Sequence, residues 1–547
     1  MSTVTSAPAF DVALGPWIPV LVDGSRRLLS LRECLVESHR IDGLAVDTPL
    51  ETVAVFRQVL LPAYLDAMFG GPQGLPPPAD EDEWHLLWNK GRLDAARIGD
   101  YLERYADRFQ LFGPRPFAQV AGLATAGGDT KPVSLLIAAA ASGNNVPLFS
   151  ARTEADPPSL TPAEALRALL ATQCFDTAGI KSGAVGDPAV KAGKTTGNVT
   201  GPLGSLGVVV PWGQTLFETL MLHTPIQPQP FRATDRPQWR TSEHDSDDPA
   251  GPAWRSRPAQ GLLDLLTWQA RRIRLLPERD GDRVVIRRVV VAAGDRLSPF
   301  PQDVEPHTAW KPSTTSAGQV PVRHVAGRAA WRGLQALLAV GDDPGSSVTA
   351  ARVLRQIADL RAERCLPADL PVQVMTVGVQ YGTQSAVVEE VIVDHLPLPL
   401  AALDPHGPVA ALLGQVVAHA DDLRVAANRF GDELREAAGG DKLAWNQGQR
   451  IGDTLVHRFT PVVHRLLTGL QHQPQRAAEA EAAWRTTARR YALEVIDPAV
   501  SSAPPTAFLG RDANGHPRRT STAEARYRSA INTIIGTVSS TPIPAGG

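Results

Sequence analysis

The stretch VGDPAVKAGKTTGNVTGPLGSLG, residues 185–207, has the residue types that hold phosphate: six glycines, Lys191, and an embedded Gly193-Lys194-Thr195. The chemistry they suggest is a phosphate cradle, with backbone N–H groups curled around the anion and a lysine reaching over it. The spacing excludes that cradle. It needs four residues between its first glycine and Gly-Lys-Ser/Thr, whereas six separate Gly186 from Gly193. Pro188 also removes one N–H donor. The lead-in, PAEALRALLATQCFD, has the period of a helix rather than a buried strand. Two readings stay open. One is a long, mobile surface loop, since Gly, Lys, Thr and Asn are poor core formers. The other is a loop bearing Lys181, Lys191 and Lys194, with few acids, that lies along a nucleic-acid backbone.

No other cluster asks for catalysis. The 13 histidines are scattered, with no HExxH, no paired His-Asp of metal-dependent phosphohydrolases and no GxSxG elbow. His395, His406 and His464 read as surface or packing residues. The acidic runs Asp80–Glu83 and His244–Asp248 lie in proline-rich stretches and read as solvated turns. Cys34, Cys174 and Cys365 are far apart and read as core thiols, without a disulfide framework or a zinc site. The expectation is a chain with no metal, no cofactor and no catalytic centre.

Basic residues gather in RRIRLLPERDGDRVVIRRVVV, read as two strands around a turn at Asp280–Asp282. Arg271, Arg272, Arg274, Arg283, Arg287 and Arg288 give it local positive charge, and alternation puts Arg287 or Arg288 on the exposed face. Edge-strand protection and phosphate binding explain this cluster equally well. A second pair of β-like runs flanks QYGTQSA, a short polar piece with the composition of a loop tip.

These segments must be carried by more than one core, because the chain has 547 residues. Its 43% apolar and 20% charged residues describe a globular protein, and a net charge of -3 confines any nucleic-acid contact to local patches. No uninterrupted apolar run of about 18 residues and no signal peptide are visible, so no membrane association and a cytoplasmic location are expected. Residues 10–40 read as strand, turn and helix, with Ser30 and Glu33 as a capping box. Residues 49–69 form an amphipathic helix stopped by Gly70-Gly71. Trp84 and Trp88 stack in a helical core, and Thr161, Pro162 and Glu164 start another helix after an irregular loop at 142–158 that displays Phe149. Residues 225–260 read as flexible. The proline-studded LPLPLAALDPHGP is the expected domain boundary. Four amphipathic helices follow it, the second kinked at Pro461, the third ending at Pro498 and the last opened by Ser521 and Glu524; an antiparallel bundle accommodates them.

The ordered set GPWIPV, SLRECL, the stretch from LLW to RPFAQV, ASGNN before LFS and RTE, the glycine-rich loop ending in LFETLML, and YGTQSA ahead of helices resembles the CasA family. That family supplies the large subunit of the type I-E CRISPR Cascade surveillance complex. The resemblance implies an α+β fold, with a mixed α/β domain over 1–400 and a four-helix bundle over 401–547. It implies a non-enzymatic subunit that reads the protospacer-adjacent motif (PAM) of double-stranded target DNA from the minor groove, helps start the R-loop and recruits the effector helicase-nuclease. The implied partners are the other Cascade subunits and the crRNA. By resemblance, the wedge falls on Gln384, flanked by Thr383 and Ser385. The glycine loop falls near Ala178 and Gly179, followed by Ile180, Lys181, Ser182 and Gly183, the basic finger on Arg287 or Arg288, and Phe149 in the loop near the crRNA end. Two rivals stay open: a nucleotide-dependent enzyme, and a helical-bundle adaptor that never touches DNA.

Overall fold

Helix Pro49–Phe69 passes through the middle of the N-terminal core. Its 21 residues and mean hydropathy of 1.2 would suit a membrane span, but 94% of its apolar window is buried within the protein. It is therefore a core helix. Thr48 caps it by accepting from the Glu51 N–H, and Gly70 ends it. A π-helical turn over Phe56–Leu60 places Arg57 inside. There Arg57 is forked to Glu305 at 2.7 and 2.9 Å and donates to His307 Nδ1 at 2.7 Å. Arg57 and Glu305 are both nearly inaccessible, so each needs the other to remain charged.

The computed structural model describes residues 8–70, 74–138, 140, 158–226, 234–240, 251–315, 317–340, 348–443, 450–513 and 516–536. They divide into two units. The first comprises Met1–Arg328, Val340–Pro367 and Val372–His395; the second comprises Ala329–Ala339, Ala368–Pro371 and Leu396–Gly547. Helix and sheet are mixed in the first unit, and helices dominate the second.

Two sheets of the first unit carry the candidate site residues. One orders Lys131–Pro132, Arg283–Ala293, Gly179–Ser182 and Lys194–Asn198, with Arg271–Asp280 paired antiparallel to Arg283–Ala293. The other orders Val388–Leu398, Val372–Tyr381 and Val208–Trp212. The apolar runs of Val208–Trp212 and Val372–Tyr381 are almost wholly buried, which sets these two strands in the interior.

Several local expectations hold. Ser30 and Glu33 form the capping box, as do Thr161 and Glu164 with Pro162 at the first helical position. Trp84 and Trp88 stack with centroids 5.3 Å apart, and Trp84 is fully buried. All three cysteines are free and buried.

Others are corrected. Asp80–Glu83 is no loose turn: Asp80 caps helix Glu81–Trp88, and three acids in its first turn face the positive end of the helix dipole. Within 225–260, Trp239 is buried and Asp235 accepts from the N–H groups of Leu263 and Asp264, so those parts are anchored. The run His244–Asp248 lies outside the described residues. The glycine-rich stretch is not a mobile loop. Lys194–Asn198 is a strand, and Cβ atoms at Gly201 and Gly204 would overlap the Cys174 carbonyl and the Tyr381 hydroxyl. These glycines permit close packing rather than motion.

Among the described residues the second unit has four long helices, Pro408–Ala437, Ile451–His472, Ala477–Glu494 and Thr520–Ile535, the first packing on each of the others. Phe430 stacks on Tyr527 with centroids 5.0 Å apart, and Phe459 meets Trp484 edge-on at 5.2 Å. Helix Ile451–His472 continues through Pro461. The third helix ends at Glu494, and Pro498 falls inside a separate short helix, Ile496–Ser501. The last helix starts at Thr520, so Ser521 lies within it, no capping box forms, and Glu524 pairs with Arg528 instead. The boundary segment is packed: Leu396, Leu398, Leu400 and Leu403 are buried. A single cut at 400 also omits Ala329–Ala339, where buried Trp331 donates to Thr460 and Arg332 pairs with Asp421 at 2.6 Å.

Candidate nucleic-acid interface

Strands Val372–Tyr381 and Val388–Leu398 are joined by a tight tip. The Gly382 N–H donates to the Val387 carbonyl at 2.9 Å, and the Ser385 N–H donates to the Gly382 carbonyl at 2.8 Å. These bonds hold Gln384 and Ser385 at φ of 56° and 54°. Two successive non-glycine residues in the left-handed region cost about 1–3 kcal/mol each, the kind of strain that clusters at functional sites. Thr383 and Gln384 are exposed. Among the described residues the Gln384 carboxamide makes no hydrogen bond, so its donors and acceptor are free for a ligand.

The loop at 177–183 leaves the end of helix Pro162–Phe175. Asp176, just after it, pairs with Arg271 and with Lys181 Nζ at 2.6 Å. The Arg271 guanidinium also donates to the carbonyls of Thr177 at 2.9 Å and Val199 at 2.7 Å. Burial alone would raise the Asp176 pKa; the charges of Arg271 and Lys181 outweigh it and hold the carboxyl below its ordinary range. Burial lowers the Lys181 pKa, with Asp176 opposing that shift. Gly179 has φ of 115°, which a side chain rarely tolerates, and its carbonyl accepts from Asn198. Gly183 is confined for another reason, because a Cβ there would press on Val190 and Gly193.

The loop and the hairpin tip, about 200 residues apart in sequence, meet directly. The Ala178 N–H donates to the Ser385 carbonyl at 2.8 Å, and Tyr381 beneath the tip donates to the Phe175 carbonyl at 2.6 Å. Between them opens a cavity of about 640 Å³, lined in part by Leu136, Ile137, Phe175, Gly179, Ile180, Gln384 and Val388.

The basic hairpin behaves differently. A β-bulge between Ile286 and Arg288 breaks the alternation, so the choice of one exposed arginine does not apply: both Arg287 and Arg288 are half-buried. Arg287 pairs with Glu278 at 3.3 Å and Asp280 at 2.6 Å. Arg288 donates to the Thr130 hydroxyl at 2.8 Å and its carbonyl at 2.5 Å. Arg271 and Arg272 are buried, the latter paired with Asp295 at 2.7 Å. Arg271, Arg272 and Arg287 are thus paired with carboxylates, Arg274 and Arg288 donate to neutral groups, and Arg283 is exposed. The hairpin shares a sheet with the loop through Ala292, level with Ser182. Arg287 lies five residues along that strand, roughly 16 Å away at the usual rise.

The structure therefore brings Ala178, Gly179, Thr383, Gln384 and Ser385 together, turns Lys181 inward and sets Arg287 and Arg288 apart. Phe149 lies outside the described residues. Sequence reasoning missed the brace of Asp176 and Arg271, which no local pattern announces, and it placed Ile180 in the glycine loop without assigning the exposed side chain a contact. Among the described residues no group of three His, Cys, Asp or Glu could hold a metal ion.

The family model for CRISPR-associated protein Cse1 matches residues 12–495. Over 280 residues the chain is 36% identical to the CRISPR-associated protein CasA/Cse1 of Thermus thermophilus, an alignment that spans 51% of this chain and 51% of that protein. The structure of Thermobifida fusca Cse1 matches with a TM-score of 0.83 and 30% identity, over 97% of this chain and 99% of that one. A chain of a CRISPR RNA-guided surveillance complex shares the fold, with a TM-score of 0.68 and 22% identity over 96% of this chain and 100% of that one. With a family model spanning most of its length, the chain belongs to the CRISPR-associated protein Cse1 family.

Proposed function

We propose that the chain is the DNA-recognition subunit of a CRISPR RNA-guided surveillance complex, acting in the cytoplasm with crRNA and the other Cascade subunits. It reads the PAM of duplex target DNA from the minor groove, helps start the R-loop and recruits a helicase-nuclease, without catalysing a reaction itself. What supports this reading most is one hydrogen bond, Ala178 N–H to the Ser385 carbonyl, which joins the two segments that the family resemblance assigns to the groove.

The physics is consistent with that role. The minor groove distinguishes A·T from G·C and little more, so several related motifs should be tolerated. A side chain pressed into the adjoining base step costs a few kcal/mol in lost stacking. Guide pairing offsets that cost, because exchanging DNA duplex for RNA–DNA heteroduplex is nearly balanced. Lys181 is paired with Asp176 inside the loop, so the approach falls to the loop's backbone and its other side chains. For Arg287 to act as a basic finger it must exchange Glu278 and Asp280 for phosphate or groove edge. With a net charge of -3 on this chain, the rest of the complex can supply much of the phosphate contact.

The test uses the assembled crRNA complex and a target library with a randomised flank. The expected result is binding confined to a small set of flanking motifs and lost when this subunit is omitted. Binding of all flanks alike would favour the adaptor that never touches DNA.

A further inference from the structure

We propose that Ile180 is the apolar half of a two-residue wedge whose polar half is Gln384. The inference rests on the recognition role proposed above and assigns a second side chain to its strand-opening step.

In strand Gly179–Ser182, Lys181 is turned in to Asp176, with its side chain 12% exposed. The pairing with Lys194–Asn198 shifts register between Gly179 and Lys181, which leaves Ile180 at the bulge, and it is 62% exposed. A single exposed apolar side chain is ordinary; what sets Ile180 apart is that it lines the cavity beside the hairpin tip. Gln384 lines the same cavity, and the Ala178–Ser385 hydrogen bond ties the two segments together. Arg271, bound to Asp176, Thr177 and Val199, fixes the loop from behind. Both side chains are thus presented from a braced backbone. Around Gly179, between them, the space is open, so a ligand can reach the backbone.

The occupant that fits is the minor-groove side of the target duplex, whose deoxyribose walls and base faces are apolar. Proteins that pry base steps apart from this groove insert apolar wedges such as isoleucine. Ile180 has no polar atom and cannot distinguish base edges. It should therefore affect how fast the step opens and leave the choice of motif unchanged, whereas Gln384 can affect both.

The experiment uses the assembled crRNA complex and a duplex with 2-aminopurine in the base pair beside the motif, read by stopped-flow fluorescence. A second target carries a pre-opened bubble at that position. Ile180→Ala should slow opening of the duplex about tenfold and leave the bubble target and the motif preference as in wild type. Ile180→Val, which keeps an apolar branched side chain, should stay close to wild type. If Ile180→Ala opens the duplex at the wild-type rate while Gln384→Ala is slow, this inference fails and the recognition role stands. Equal slowing on duplex and bubble, or an altered motif preference, also overturns it. If wild type gives no motif-dependent fluorescence rise, the recognition role itself fails.

Discussion

Two β-hairpins carry the features that sequence marks as functional, and they end in opposite states. The hairpin of Arg271–Asp280 and Arg283–Ala293 has the charge, but its Arg287 is neutralised by Glu278 and Asp280 and its Arg288 is bound to Thr130. The hairpin built on Val372–Tyr381 and Val388–Leu398 has no charge at residues 382–387, yet Gln384 is exposed, unpartnered among the described residues and held at positive φ. Charge already satisfied inside the protein must be released before it can bind DNA. Strained backbone and unused hydrogen-bonding capacity are available at once. The uncharged tip is therefore the better candidate for first contact.

The sharpest contrast is between the brace behind the tip and the ion pairs on the basic hairpin. Asp176→Ala leaves the buried Arg271 guanidinium without its carboxylate and should destabilise the protein by about 3–5 kcal/mol in chemical denaturation. Asp280→Ala, on an exposed pair, should leave the denaturation midpoint unchanged within error. Equal effects would erase the distinction between the buried brace and the exposed ion pairs.

Next in size, Gln384→Ala should slow motif-dependent opening of a duplex by about tenfold or more without changing the melting temperature. A normal rate on duplex DNA would remove the tip from the mechanism.

Acid should act on the brace in a defined window. The Asp176 pKa is lower folded than unfolded, so its contribution is fully present above the ordinary carboxylate value of about 3.9. It is lost as pH falls through the lower folded value. Exchange protection of the Ala178 amide should therefore be as strong at pH 5 as at pH 7, after correction for intrinsic rates. Loss of protection between those values would mean that Asp176 does not hold the loop.

The smallest expected effect tests the hidden charge directly. The double change Glu278→Ala with Asp280→Ala frees Arg287 and should steepen the salt dependence of duplex binding by about one phosphate equivalent. Adding Arg287→Ala should cancel that gain. An unchanged slope in the double variant would mean that Arg287 never reaches DNA.

Much of this architecture was legible because its signals are local. Ser30 with Glu33, Thr161 with Glu164, and the Trp84–Trp88 spacing each specify a turn or face within a few residues. Ser521 and Glu524 carried the same signal and misled, because the helix begins one residue earlier at Thr520, whose hydroxyl donates to the Ala507 carbonyl. The glycines at 201 and 204 were ambiguous for a different reason. Their neighbours, Cys174 and Tyr381, come from distant parts of the chain, so composition suggested motion where packing requires absence of a side chain. At the site, Gln384 was reachable from the tip motif and the resemblance. The inward turn of Lys181 was not, since it depends on Asp176 and Arg271 meeting across 95 residues.

The most direct test of the central idea, that the 383–385 tip meets DNA beside the recognition motif, is a photo-crosslink from position 383. A photoreactive residue in place of Thr383, which is exposed, leaves Gln384 intact. In the assembled crRNA complex it should crosslink to the base step adjoining the motif and lose that crosslink when the motif is scrambled. Absence of any DNA crosslink, or a pattern indifferent to the motif, would contradict a DNA-reading role for the tip.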